Sequence, residues 1–152
     1  NCNAFENGYA GFQIQETGFF KNCIARSNLY GYIIGSNSTE LISCLSVDND
    51  SIGVSLSNSS TLFRNCTVSG NKIGVYAGGT SGPAYMNTII FGNQTELDGE
   101  SGSSMTIDYS NIENVRILIF QYYLIFELSS SLGFHLFLVK LILLKQYKGY
   151  QK

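Results

Sequence analysis

Charge, proline and histidine are all scarce in this sequence. Only 13% of residues are charged while 44% are hydrophobic, which excludes disorder over most of the chain. A single proline among sixteen glycines suits a chain of many turns. The net charge of −2 is no footprint for a polyanion, so no nucleic-acid partner is expected. The one histidine, His135, lies late in the chain, and no CxxC pair occurs anywhere. A metal site is therefore not expected. No segment before residue 115 carries apolar residues at i, i+3, i+4 and i+7 long enough for a helix. An initiator methionine and a basic-then-apolar leader are also missing. The chain opens in mid-repeat, which is expected of a fragment of a longer protein.

Asparagine is missing from one end only: all fourteen lie at or before Asn114. Residues 1–114 hold four Lys/Arg against ten Asp/Glu, net −6, while residues 115–152 hold five against one, net +4. Such a break marks two parts that obey different rules.

A repeat fills the first part. Cys2, Cys23, Cys44 and Cys66 are spaced by 21, 21 and 22 residues, and Thr88 follows at 22. Five residues after each comes asparagine: Asn7, Asn28, Asn49, Asn71 and Asn93. Glycine follows at Gly11, Gly31, Gly53 and Gly74, each opening a short apolar segment, and Phe20, Leu41, Phe63 and Tyr85 form a further apolar column. Each copy holds two or three apolar runs separated by Asn, Ser, Gly and Asp, which reads as short strands joined by turns. The LxxLxLxxN pattern of leucine-rich repeats is absent, and a propeller blade needs about twice this period. What remains is an all-β chain: a right-handed parallel β-helix, each strand pairing with its copy one coil later.

Stacking coils roughly 4.8 Å apart puts equivalent side chains directly above one another. The five asparagines then form a hydrogen-bonded ladder, each tolerating a left-handed turn conformation. The glycine column marks a bend where φ can be positive. The cysteines are expected to be a reduced, mostly buried stack, because side chains 4.8 Å apart are too far for a disulfide, which needs Cβ atoms at about 3.8 Å.

The segments NCIARSNLYGYII, SCLSVDNDSIGVSL and NCTVSGNKIGVYAGG resemble the right-handed parallel β-helix repeat proteins of the pectin-lyase-like fold. The resemblance continues through MNTIIFGNQTEL and TIDYSNIEN, over about 110 residues. It implies an extracellular or envelope protein with polysaccharide connections. Residues 115–152 depart from it, being apolar and basic. They read as a helical or poorly ordered cap on the solenoid, a membrane segment, or a continuation not native to the family.

Proteins of that fold include polysaccharide lyases and hydrolases, and each chemistry asks for its own residues. A lyase needs a base beside a uronate and acidic residues holding Ca²⁺. Arg26, Asp48, Asp50 and Arg64 on neighbouring coils are the candidates, although acidic residues flanking a ladder asparagine are more often solvated. No DD pair, HG or RxK signature accompanies them, so no catalytic residue is assigned. Tyr9 and Tyr30, each seven residues after a cysteine, are expected to share a column that could stack on sugar rings. The hydroxyl- and amide-rich stretches at Thr17, Ser36, Ser57 and Gly78 read as turns. The expected function is a non-catalytic structural or glycan-binding module, with Ca²⁺ entering only under the alternative of a lyase or hydrolase fragment acting on acidic polysaccharide.

Overall fold

The computed structural model describes residues 1–35 and 38–113. It is a parallel β-solenoid of about five coils, with three sheets running its length and no helix among the described residues. Sheet A stacks β1 (Asn3–Phe5), β4 (Ile24–Arg26), β7 (Leu45–Val47), β10 (Thr67–Ser69), β13 (Ile89–Phe91) and β16 (Asn111–Ile112). Sheet B stacks β2 (Ala10–Ile14), β5 (Tyr30–Ile34), β8 (Ile52–Ser57), β11 (Ile73–Gly78) and β14 (Thr95–Gly99). Sheet C stacks β3 (Gly18–Lys21), β6 (Thr39–Ile42), β9 (Leu62–Arg64), β12 (Ala84–Met86) and β15 (Thr106–Asp108). Every pairing is parallel, for example Thr67 with Leu45 and Ile89 on either side. The solenoid read from the repeat is the one observed. It already starts at Asn3, and residues 114–152, where the apolar tail lies, fall outside the described residues.

The core is filled by stacked columns of buried side chains. Sheet A points Ala25, Ser46, Val68 and Ile90 inward, while sheet B points Tyr32, Val54, Val75 and Leu97, all buried. The smallest of these, Ala25, shares its coil with the largest, Tyr32. The Tyr32 ring stacks on Phe12, centroids 5.0 Å apart, and its hydroxyl donates to the Cys23 carbonyl at 2.9 Å. Sheet C contributes Leu41, Phe63 and Tyr85, with the last two rings 4.9 Å apart. Dense packing of this kind resists any change of volume.

Two expectations about turns are corrected by the backbone. The ladder asparagines do not adopt positive φ; the residues just before them do, at Glu6, Ser27, Asp48, Gly70 and Gly92. A second left-handed column, Asn22, Ser43, Asn65, Asn87 and Tyr109, precedes the cysteine column. The glycines Gly11, Gly31, Gly53 and Gly74 do not have positive φ either. They are required by proximity: a Cβ at Gly53 would lie 2.6 Å from the Gly74 carbonyl oxygen and 2.8 Å from Asn71 Nδ2. The column is glycine because the asparagine ladder passes beside it.

Candidate functional site

The most ordered polar feature is that ladder, at the corner between sheets A and B. Asn28, Asn49 and Asn71 are buried. From Asn28, Asn49 and Asn71, the backbone N–H and side-chain Nδ2 both donate to Oδ1 of the asparagine in the following coil. Asn49 reaches Asn71 Oδ1 at 3.0 Å from N and 2.9 Å from Nδ2, and Asn71 reaches Asn93 at 2.9 Å from both. Asn28 donates to Asn49 at 3.2 and 3.3 Å. Spare amide hydrogens go to backbone carbonyls, as from Asn28 Nδ2 to Arg26 at 3.0 Å. Asn7 closes the row at one end: its backbone N–H donates to Asn28 at 3.0 Å, but its side chain is exposed.

At the other end the acceptor is not an asparagine. Glu96, buried, takes the Asn93 N–H on Oε1 at 3.2 Å and the Asn93 Nδ2 on Oε2. It occupies the glycine column, since Gly74 lies between Ile73 and Val75, which pair with Thr95 and Leu97. Glu96 belongs to none of the repeat's columns as the sequence displays them. Its one signal was the loss of glycine at that position.

The cysteine column is as expected for three members: Cys23, Cys44 and Cys66 are buried free thiols, while Cys2 is free but exposed. Each buried sulfur donates to carbonyls, for example Cys66 to Leu41 at 3.2 Å, and Thr88 does the same toward Met86. The contact with Cys44, and then burial, push the Cys66 thiol above its ordinary range.

The residues singled out for lyase chemistry do not converge. Arg26 lies on the outer face of sheet A, its guanidinium 5.7 Å from the centre of the Phe5 ring. Asp48 and Asp50 are exposed at the A–B corner. Arg64 ends a sheet C strand and is bonded to Glu40 at 2.6 Å. A three-residue strand, roughly 10 Å long, separates the C–A corner beyond Arg64 from the aspartates. Ca²⁺ asks for six to eight oxygen ligands, and the described His, Cys, Asp and Glu residues form no group of three that could hold a metal. The residues present do not fit that ion.

Tyr9 and Tyr30 do not share a strand register: Tyr30 pairs with Ala10, and Tyr9 lies one residue earlier in the turn. Their rings still meet, 5.4 Å apart and inclined at 66°. Such an edge-on pair is not a flat platform for a sugar ring.

The flat surface lies elsewhere. Outward side chains of sheet A form two straight columns, Ile24, Leu45, Thr67 and Ile89 beside Phe5, Arg26, Val47, Ser69 and Phe91. Phe5, Ile89 and Phe91 are 53%, 44% and 47% exposed, and Arg26 is the sole charge in these columns. On the outer face of sheet B, Glu100 accepts bonds from Tyr76 at 2.9 Å and from Gly79 N–H at 2.8 Å. The Gly79 N–H and then Tyr76 hold its carboxyl below the usual range. Among the described residues no helix is long and apolar enough to cross a membrane.

Compared with family models, curated proteins and solved structures, the chain matches none.

Proposed function

We propose that the chain is a non-catalytic module of an extracellular or envelope protein, built on the pectin-lyase-like plan, that lays one sheet face against a glycan or another surface. The observation supporting this reading is the outer face of sheet A. It is a regular array of apolar and hydroxyl side chains on a rigid wall, with a single cation. Apolar groups there cover the C–H faces of sugars, and Thr67 and Ser69 offer hydroxyls to their rims. The dispersal of Arg26, Asp48, Asp50 and Arg64 favours binding over turnover.

Co-sedimentation of the chain with insoluble polysaccharides and cell-wall preparations tests the reading. Each apolar side chain buried at the contact contributes about 1.5–3 kcal/mol. Ile89→Ser with Phe91→Ser should therefore weaken binding by at least about tenfold, with an unchanged circular dichroism spectrum. Binding indifferent to the double substitution would defeat the proposal. Release of unsaturated or reducing sugars from acidic polysaccharide, with Ca²⁺ supplied, would instead support the lyase or hydrolase alternative.

A further inference from the structure

Sheet A is six strands long, and its first five strands are three residues wide. Its outer face is therefore a strip about 24 Å by 10 Å. The two long edges of the strip differ. Along the A–B corner, Glu6 and Asp48 follow directly on Phe5 and Val47, both carboxylates exposed. On the same edge the Glu113 carboxylate accepts the Gly92 N–H at 3.1 Å, next to Phe91. Along the C–A corner stand Asn22, Ser43, Asn65 and Asn87, all exposed, and the Asn87 amide donates to Asn65 Oδ1 at 2.6 Å. One edge thus offers acceptors, the other amides and a hydroxyl.

We infer, resting on the binding role proposed above, that the strip takes a single extended chain of uncharged sugars laid along the solenoid axis. Dimensions argue against a protein partner: a stable one buries about 800 Å² on each side, several times the area of the strip. A polysaccharide chain is about as wide as the strip. One ring of an extended chain is about as long as one coil rise, so the six strands seat about six rings. Ile24, Leu45, Val47 and Phe91 face the C–H surfaces of those rings, and the two polar edges face their hydroxyls, the usual division of labour in a small-molecule site. Charge then decides the class of sugar. Arg26 stands in the coil between Glu6 and Asp48. A uronate drawn to its guanidinium meets a carboxylate one coil away on either side, well inside a Debye length of about 8 Å. Lys21 and Arg64 end sheet C strands beyond the amide edge, and Arg64 is held by Glu40. A chain bearing only hydroxyls meets no repulsion and donates to the same carboxylates.

Calorimetric titration of the full chain with cellohexaose, chitohexaose and hexagalacturonate compares the classes directly. An uncharged hexamer should bind at least about tenfold more tightly than hexagalacturonate. Its affinity should be insensitive to salt and should rise with chain length up to about six rings. Leu45→Ser with Val47→Ser, at the middle of the strip, should weaken that binding at least about tenfold, with an unchanged circular dichroism spectrum. Asp48→Asn keeps a residue suited to the left-handed corner and should raise hexagalacturonate affinity at low salt only. Equal or tighter binding of hexagalacturonate by the unsubstituted chain would overturn the inference and leave the binding role standing. Binding of no hexamer would also overturn it, and the binding role falls with it only if insoluble polysaccharides fail to co-sediment as well. A dimer dispersed by Leu45→Ser with Val47→Ser would make a second copy the occupant and overturn it too.

Discussion

Replacing Asn49 by alanine isolates what one rung of the ladder is worth. The side chain accepts the buried Asn28 N–H at 3.2 Å and Nδ2 at 3.3 Å, and it donates to Asn71 Oδ1 at 2.9 Å and Ser46 Oγ at 3.2 Å. Much of this is replaceable. Asn28 Nδ2 keeps the Arg26 and Ala4 carbonyls, Asn71 Oδ1 keeps the Asn49 N–H, and Ser46 still donates to Gly53 at 2.7 Å. The Asn28 N–H alone loses its acceptor outright. An orphaned buried donor costs about 1–3 kcal/mol, and each lost bond adds about 1. The expected destabilisation is therefore about 3 kcal/mol, a large share of the roughly 5–15 kcal/mol that holds a domain together. For a domain near 100 residues this lowers Tm by at least about 10 °C. Asn7→Ala is the matched control, since it removes the same residue type from the same column where the side chain bonds nothing and is exposed. Its effect should stay within about 0.5 kcal/mol. Urea and thermal unfolding followed by far-UV circular dichroism provide the measurement. Equal effects of the two substitutions would show that the ladder is an alignment of side chains without energetic weight.

Gly53→Ala should destabilise by about 1–3 kcal/mol through overpacking, because its Cβ would fall 2.7 Å from Val68 Cγ1 as well as against the ladder; an unchanged unfolding midpoint would contradict the close approach. Tyr85→Phe should be neutral or stabilising by up to about 1 kcal/mol, since the buried Tyr85 hydroxyl has no hydrogen-bond partner among the described residues; a clear loss in the same unfolding assay would mean that the hydroxyl is satisfied in solution. Thiol titration of the native chain should find Cys2 reacting quickly and Cys23, Cys44 and Cys66 slowly, with all four free in denaturant without reductant. Recovering none in denaturant would refute the reduced stack.

The coil period, the three buried thiols and the inner rungs were legible because stacking repeats one environment at one spacing, and composition follows environment. What stayed hidden depends on neighbours that a single repeat does not display. Gly53 looks like a turn residue in sequence, yet its reason is the Asn71 amide one coil away. Asp48 and Asn65 share positive φ with residues as unlike as Gly70 and Tyr109, so the left-handed columns leave no common residue type. Tyr9 seemed aligned with Tyr30 because both were counted from a cysteine. The spacing from Asn7 to Gly11 is one residue longer than from Asn28 to Gly31, and that extra residue shifts Tyr9 into the turn. Glu96 breaks the glycine column, and its reason is again a neighbour, the Asn93 donors that its carboxylate takes.

The direction of the ladder carries a consequence for how the chain is made. Every donor from Asn7 to Asn71 points to the asparagine that leaves the ribosome 21 or 22 residues later. At about 5–20 residues per second, a newly made coil waits roughly one to four seconds for the acceptor that completes it. Until then its corner N–H has water as its only partner, and its inner face has no neighbour on that side. A solenoid adds stability coil by coil through such nearest-neighbour contacts, so maturation here runs as a relay, each coil finished by its successor. Asn93 departs from the relay, because its acceptor arrives three residues later within its own coil. Among the described ladder coils it alone completes its corner bonds from within, without waiting for a successor.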